Sequence, residues 1–308
     1  MSGLEHKKGF KEFASILSSV FFATYSELPN LDPDDRLLAD ALETCGVSVR
    51  PAIWNDLDVD WSLADLCILR STWDYPRSFE QFITWLDKTA AVVPIYNPPE
   101  LVRWNADKSY LQDLAAAGIP VIPTIYITEN ATTGVRQPVD VRKAMDTFST
   151  DCIVVKPLIG AGTYNVRRID RSQIDAHQSF INELAGSHRI MLQKYMPSVE
   201  KYGERALVFI AGEYSHAVYK SPFQALLPAG EAGERLVQAA ESEIDLARTV
   251  VNRFAPNALY ARVDLIQDDG GSPCVIEFEL IEPSLFLSMH PPAISRLADA
   301  IAGTLVRA

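Results

Sequence analysis

The sequence predicts a chain of mixed class: an α/β beginning with an open, mostly parallel sheet, followed by an α+β remainder built on antiparallel hairpins. Three observations lead there. Strands and helices alternate between about residues 18 and 98, two apolar strands flank a glycine-containing loop after Cys152, and the stretch from Tyr260 to Leu287 reads as two alternating strands joined by a tight turn. A length of 308 residues, 48% of them hydrophobic, supports a sizeable core divided into two or three lobes.

Charge and composition narrow the function. A net charge of -12 argues against a nucleic-acid partner, which calls for a basic patch, although a local basic pocket for a nucleotide is compatible with it. No run of eighteen apolar residues occurs, and the apolar stretch Ile16 to Tyr25 is interrupted by Ser18 and Ser19, so neither a membrane span nor a signal peptide is expected. Cys45, Cys67, Cys152 and Cys274 lack CxxC spacing and sit in or beside apolar segments, as reduced buried cysteines do. A cytoplasmic location follows as the expectation.

Residues 1–17 read as an extension without functional signal. SVFFATY is then a strand, DPDDRLLADALETCG a helix with Asp32 as N-cap, Pro33 in the first turn and Leu37, Leu38, Ala41 and Leu42 as its apolar stripe, and VSVRPAIW a second strand. The strand DLCILR runs into RSTWDYP, a helix marked by Phe79, Phe82, Ile83 and Leu86 follows, and VVPIYNP closes the lobe. Ligands of open parallel sheets bind at strand C-termini, which is where Ser71, Thr72, Trp73, Asp74 and Tyr75 fall. Those residues either touch substrate or plug a lobe interface, with Asp74 capping the next helix.

The next stretch, ELVRWNADKSYLQDLAAAG, reads as one helix containing Lys108 and ended by Gly118; a lone helical lysine is usually solvated. After a Pro-punctuated strand and a helix from Pro138 to Phe148, DCIVVKPLIGAGTYNVRRI is strand, loop, strand. Lys156 precedes a loop holding Gly160, Ala161 and Gly162, which could set one ammonium and several N–H groups around phosphates or be an ordinary hairpin turn. Neither a Walker A loop nor a GxGxxG fingerprint is present. Past the helix SQIDAHQSFINELAG, RIMLQKYMPSV passes from strand to connector. Either it links domains, or the backbone of Lys194, Tyr195 and Met196 meets a flat ring, with Met196 on its face and Glu200 in reach of ribose hydroxyls.

GERALVFIAGEYSHAVYK is a hairpin bringing Arg205 and Lys220 to a sheet, with His216 a satisfied structural residue. Pro222 to Glu234 reads as a mobile loop, Glu234 to Phe254 as a long helix, and PPAISRLADAIAGTLVRA as a packing helix. In the last hairpin, Ala261, Val263 and Leu265 alternate with Arg262, Asp264 and Ile266, and Ile276, Phe278 and Leu280 with Glu277 and Glu279. With Gly270 and Gly271 as central turn residues, Asp264 lies opposite Glu277 and Arg262 opposite Glu279. Facing carboxylates repel, so three on one face call for a cation, and an all-oxygen set favours magnesium. The alternative is a solvated face carrying an Arg262–Glu279 ion pair.

Lys108 in NADKSYL, Lys156 in VVKP before a glycine loop, QKYM as a hinge, and RVD followed by IEFE together resemble the ATP-grasp ligases. RSTWDYP and IEFELIEPSLF are similar to the subgroup that forms D-cycloserine from O-ureidoserine, a likeness running from about Ser18 to Leu305. The resemblance implies an ATP-grasp fold with an N-terminal domain at 18–98, a lid at 99–192 and a C-terminal domain at 193–308. It implies ATP and Mg2+ as cofactors, with Lys108 and Lys156 on the phosphates beneath the Gly160–Gly162 loop and Gln193 to Met196 around adenine. Asp264 and Glu277 would bind magnesium, and Glu279 stands where the family commonly has Asn, which leaves a second metal position open. Arg262 would stabilise the transferring phosphoryl group, assisted by Arg205 or Lys220. Glu282 and Ser284 join Ser71, Thr72, Asp74 and Tyr75 as substrate candidates.

The implied reaction is ATP-dependent activation of a small, amino-acid-like carboxylate as an acyl phosphate and its capture by an amine or aminooxy nitrogen, with antibiotic biosynthesis as the setting. An intermolecular, dipeptide-type ligase is the alternative within the class, and a nucleotide-sensing protein the alternative outside it. A homodimer is left open.

Overall fold

A computed structural model describes residues 18–127, 139–162, 164–221 and 233–305. The extension expected at 1–17 lies outside the described residues.

The first sheet is parallel throughout, in the order β2-β1-β3-β4: β1 (Ser19–Thr24), β2 (Ser48–Ile53), β3 (Leu66–Ser71) and the two-residue β4 (Ile95–Tyr96). Helix α1 (Pro33–Thr44) begins as expected, because the Asp32 side chain accepts from the Asp34 N–H at 2.9 Å and Pro33 needs no donor there. It buries Leu38 and Leu42, while Leu37 of the expected stripe is 39% exposed. Gly46, at φ +78°, lets the chain leave the helix. Cys45 beside it is exposed, contrary to expectation, because the apolar face of α1 has ended; Cys67, Cys152 and Cys274 are buried and unpaired. Helix α2 (Phe79–Ala90) packs Phe82, Trp85 and Leu86 against Trp54, Trp61 and Tyr75.

The single helix expected over the segment with Lys108 is instead two, α3 (Pro99–Asn105) and α4 (Tyr110–Ala116). Side-chain hydrogen bonds outcompete the helix at the break. Asn105 donates to the Phe278 carbonyl at 2.7 Å and accepts from the Leu280 N–H, Asp107 accepts from the Ser109 N–H, and the Lys108 N–H donates to the Leu158 carbonyl. Lys108 is thereby lifted off a solvated helix face.

The second sheet, ordered β5-β8-β6-β7, is antiparallel: β5 (Thr124–Ile127), β6 (Cys152–Pro157), β7 (Arg167–Asp170) and β8 (Ile190–Lys194). Helices α5 (Val141–Phe148) and α6 (Ile174–Ser187) cover one face, closing a core of Met145, Ile153, Val155, Ile181 and Leu192. The other face is turned to a cavity. A one-turn α7 (Val199–Tyr202) follows.

The third sheet, also antiparallel, runs β11-β10-β9-β12-β13: β9 (Glu204–Ile210), β10 (Glu213–Lys220), β11 (Glu234–Val237), β12 (Tyr260–Gln267) and β13 (Pro273–Glu279). Ala211 and Gly212 both have positive φ, as a two-residue hairpin turn with matching twist requires. The long helix expected from Glu234 starts only at α8 (Glu241–Phe254); residues 234–237 pair with β10 as an edge strand instead. Most of the loop expected to be mobile, 222–232, lies outside the described residues. Helix α8 covers one face of this sheet, and α9 (Pro292–Leu305) bridges the other face to α1.

The last hairpin pairs Asp264 with Glu277 and Arg262 with Glu279, as expected, although its turn differs. The connection is longer, with the Asp268 N–H donating to Ser272 and Gly271 taking φ +82°. The shift this introduces is cancelled by a β-bulge, since Leu265 faces Val275 while Asp264 faces Glu277, leaving Ile276 extra. Ile276 therefore leaves the apolar face shared by Phe278 and Leu280 and joins Ile266 and Met196 on the cavity side.

His216 is structural, as expected: Nε2 bonds the Leu285 carbonyl at 3.0 Å, and the ring stacks on His290. Among the described residues no helix is long and apolar enough to cross a membrane. Burial, reinforced by His290, lowers the His216 pKa to about 4. Between there and the ordinary histidine value of about 6.5 the unfolded chain binds the extra proton, so this group's contribution to stability is complete above that window and lost as pH falls through it. Melting temperature should therefore decline more steeply between pH 6.5 and 4.5 in the wild type than in His216→Gln; parallel curves would refute this origin.

Candidate active site

The charged face of the last hairpin, the uncovered face of the second sheet and the end of β3 enclose a cavity of about 970 Å3. Its charged groups are paired across elements. Asp264, 1% exposed, accepts from Arg262 Nε and Nη2 at 2.8 and 2.9 Å and from Lys220 Nζ at 2.8 Å. Arg262 also holds Glu279, Lys220 lies 3.2 Å from Glu204, and Lys108 lies 3.0 Å from Glu277 and donates to the Gly160 carbonyl at 2.6 Å. The Arg262–Glu279 pair considered for a solvated face is thus real, but it is enclosed in the cavity.

Lys156, 8% exposed, has no ion pair among the described residues, and burial lowers its pKa despite the nearby Glu277. Burial would likewise raise the pKa of Asp264, yet Arg262 and Lys220 hold it down at about 2. Glu277 is held low by Lys108 and Lys156 against the same burial. Two carboxyls go the other way. Burial raises Glu279 to about 7 against the pull of Arg262, and burial with the Glu279 charge raises Glu282 to about 8.

Asp264, Glu277 and Glu279 bring carboxylate oxygens within 4.8 Å of one another. Such a hard, all-oxygen set with an elevated carboxyl pKa fits a magnesium ion, whose charge would relieve the crowding. The same cavity has an apolar part lined by Ile122, Val154, Met196, Ile266 and Ile276, and Gln193, Lys194 and Tyr195 also line it. The Lys194 and Tyr195 N–H groups already donate to the Pro123 and Cys152 carbonyls, so of the three expected to meet a ring only the Met196 N–H is uncommitted among the described residues.

Most residues singled out in the sequence converge here. Tyr75, Lys108, Lys156, Gly160, Ala161, Gly162, Gln193 to Met196, Lys220, Arg262, Glu277, Glu279, Glu282 and Ser284 all line the cavity. Asp264 sits directly behind Arg262. Glu200 is at the rim, accepting from Tyr195 Oη at 2.8 Å and Arg168 at 3.1 Å.

Besides Asp264 and Glu200, four do not line it. Ser71 is buried, donating to Asp35 at 2.6 Å, and Thr72 is buried with no partner for its hydroxyl among the described residues. Asp74 caps no helix; it accepts from Trp54 Nε1 at 2.7 Å. Arg205 stands in β9 on the face opposite Glu204, stacked on Tyr202 and Tyr219 and donating to the Tyr202 carbonyl. Trp73, singled out by its strand-end position, is a cavity wall, whereas sequence reasoning missed Arg168 along with Ile122, Val154 and Ile276. Ile266 carried a signal, being the one apolar residue on the charged side of β12.

A nucleotide-sized cavity between two antiparallel sheets, in which lysines from separate elements meet a cluster of carboxylates, defines an ATP-grasp ligase. Residues 122–269 match the model of the prokaryotic glutathione synthetase ATP-grasp domain, and residues 20–97 match that of the N-terminal domain of the D-cycloserine synthetase DcsG. The chain is 33% identical to the cycloserine biosynthesis protein DcsG of Streptomyces lavendulae over 290 residues, covering 89% of this chain and 95% of that protein. It superposes on the crystal structure of D-cycloserine synthetase DcsG with a TM-score of 0.82 at 30% identity, covering 94% of this chain and all of the other. This chain therefore belongs to the DcsG family of ATP-grasp carboxylate-amine ligases. Similarity to the glutathione synthetase of Bordetella parapertussis is 31% over 149 residues, 44% of this chain and 43% of that protein. D-alanyl-alanine synthetase A of Vibrio cholerae shares the fold alone, with a TM-score of 0.69 at 15% identity over 95% of this chain and 99% of its own.

Arg205→Ala should lower the melting temperature by about 2–4 °C, the effect of losing roughly 1 kcal/mol in a chain of this size, and leave ATP-dependent turnover within about twofold. A loss of turnover beyond about a hundredfold at unchanged nucleotide affinity would return Arg205 to the site.

Proposed function

We propose that the chain uses ATP and magnesium to activate the carboxylate of a small, amino-acid-like molecule and closes a ring by attack of an aminooxy nitrogen within the same molecule, as in cycloserine formation. The observation that carries this is the charge arrangement of the cavity. Lys156 is buried near Glu277 with no ion pair among the described residues, and three carboxylates converge on one point, so the cavity offers one group suited to phosphate and another suited to a divalent cation. The identity shared with DcsG over most of both chains supports the ring-forming outcome.

In this reading Lys108 and Lys156 take the phosphates beneath the Gly160–Gly162 loop. The apolar part of the cavity, with Gln193, Lys194, Tyr195 and Met196, holds adenine, and Glu200 the ribose. Asp264, Glu277 and Glu279 hold magnesium, which supplies charge neutralisation across the phosphates. Arg262, with Lys220, faces the phosphoryl group in transfer. A carboxylate oxygen attacks the γ-phosphorus and ADP leaves; the nitrogen lone pair then attacks the acyl carbon, phosphate leaves, and the nitrogen gives up a proton. With O-ureidoserine, whose oxygen-bound nitrogen carries a carbamoyl group, one water adds to that group and releases it as CO2 and ammonia, which leaves the nitrogen unsubstituted. Positioning and electrostatics suffice for such steps, and no protein nucleophile is needed. Tyr75, Glu282 and Ser284 stand on the substrate side, whereas Ser71, Thr72 and Asp74 support the wall from behind.

The proposed division of the chain keeps the boundary at 98/99 and moves the one at 192/193 past Lys194, because β8 continues to that residue. The same reading takes the setting to be cytoplasmic and allows a homodimer.

ADP release should appear with ATP, magnesium and O-ureidoserine alone, with a ring-closed product by mass. Release only with pairs of amino acids would mean an intermolecular ligase, and ATP binding without release under any condition a sensor. Glu277→Gln should cut turnover at least about a hundredfold, and a chelator should abolish it until magnesium is restored. Undiminished ADP release by Glu277→Gln would sink the metal assignment.

A further inference from the structure

We propose that Glu282 receives a substrate ammonium group that takes no part in bond formation, with Trp73 and Tyr75 as the aromatic walls beside it. The inference deepens the ligase reading and rests on it for the direction in which substrate lies.

The carboxylates around the cavity differ in one respect. Glu204 has Lys220, Glu277 has Lys108, and Glu279 and Asp264 share Arg262. Glu282 lines the same cavity, half-buried, with no ion pair among the described residues, and it is not one of the three carboxylates that converge as a metal cluster. A carboxylate removed from water without a cation is costly, and an arriving positive charge relieves that cost. Burial and the Glu279 charge raise the Glu282 pKa against the pull of Lys108.

The backbone beneath Glu282 is fixed from several directions. Its own carbonyl accepts from Trp73 Nε1 at 3.1 Å, that of Ile281 from Tyr260 Oη at 2.9 Å, and that of Pro283 from Arg70 at 3.2 Å. The hydrogen bond from Trp73 holds its indole beside Glu282, and Tyr75 is braced by Phe82 at a ring separation of 4.8 Å. Indole and phenol faces attract ammonium ions, so the rings and the lone carboxylate favour the same ligand charge.

A protonated amine has no lone pair. An amine bound here as ammonium therefore cannot be the attacking nitrogen, and the nucleophile must be a second nitrogen basic enough to attack but neutral at physiological pH, as an aminooxy-type nitrogen is. The site would thus select a zwitterionic amino acid carrying a weakly basic nitrogen and reject the same chain without its amine.

The test measures binding of O-ureidoserine and of its deamino analogue, 3-(ureidooxy)propanoate, by calorimetry to the protein loaded with magnesium and a non-hydrolysable ATP analogue. The analogue should bind at least about thirtyfold more weakly, the lower end for losing one partner of a buried charge pair. Glu282→Gln should bring O-ureidoserine down to that level without altering affinity for the ATP analogue, and Glu282→Asp should recover part of the loss. Equal binding of the two compounds, no binding of either, or undiminished binding by Glu282→Gln would overturn the proposal. ADP release is assayed separately. Its absence alongside preserved discrimination would sink the ligase reading and leave the ammonium site standing.

Discussion

Three carboxylates on one face of a β-hairpin cannot stand together unless cations hold them, and the rest of this molecule is arranged to supply those cations. Arg262 comes from the same strand as Asp264, Lys220 from β10 two strands away, and Lys108 from the break between α3 and α4. Each cation arrives by a different route through the fold. Removing one would leave a buried charge uncompensated, a larger penalty than the pair itself is worth. The cluster therefore couples the third sheet to the helical segment that precedes the second.

The same cluster reconciles stability with catalysis. The Arg262–Glu279 pair helps hold the site together, and its members are those the ligase reading assigns to phosphoryl transfer and to the metal. Arrival of nucleotide and cation would exchange one set of charge partners for another without moving the strands. Lys156, near Glu277, has no ion pair among the described residues, which leaves it available to an anion.

Legibility followed the physics of each element. The hairpin's partners were readable because one face is charged and the other apolar, so a one-residue slip would invert both. The turn was not readable, and the right register emerged only because the Ile276 bulge offsets a longer connection. Arg205 was misplaced because β9 is a central strand buried on both faces, where alternation carries no direction. The break around Lys108 depends on the side chains of Asn105 and Asp107 and on the distant carbonyls of Phe278 and Leu158, none of which local propensity contains. The parallel sheet, by contrast, was legible because its helices announce themselves with a cap, a stripe and a glycine.

The segment from Leu280 to Leu285 forms no strand of its own, yet its six consecutive carbonyls each accept from a side chain: Asn97, Tyr260, Trp73, Arg70, Arg262 and His216 in turn. Three of these donors belong to the N-terminal region and three to the C-terminal sheet. Such a backbone has this shape only where both regions meet, so this wall of the cavity exists only once the N-terminal region and the C-terminal sheet have come together. Pairing by side chains instead of by a neighbouring strand also frees evolution to change one donor at a time, so the pocket's contour can be retuned locally while the sheets beneath it stay as they are.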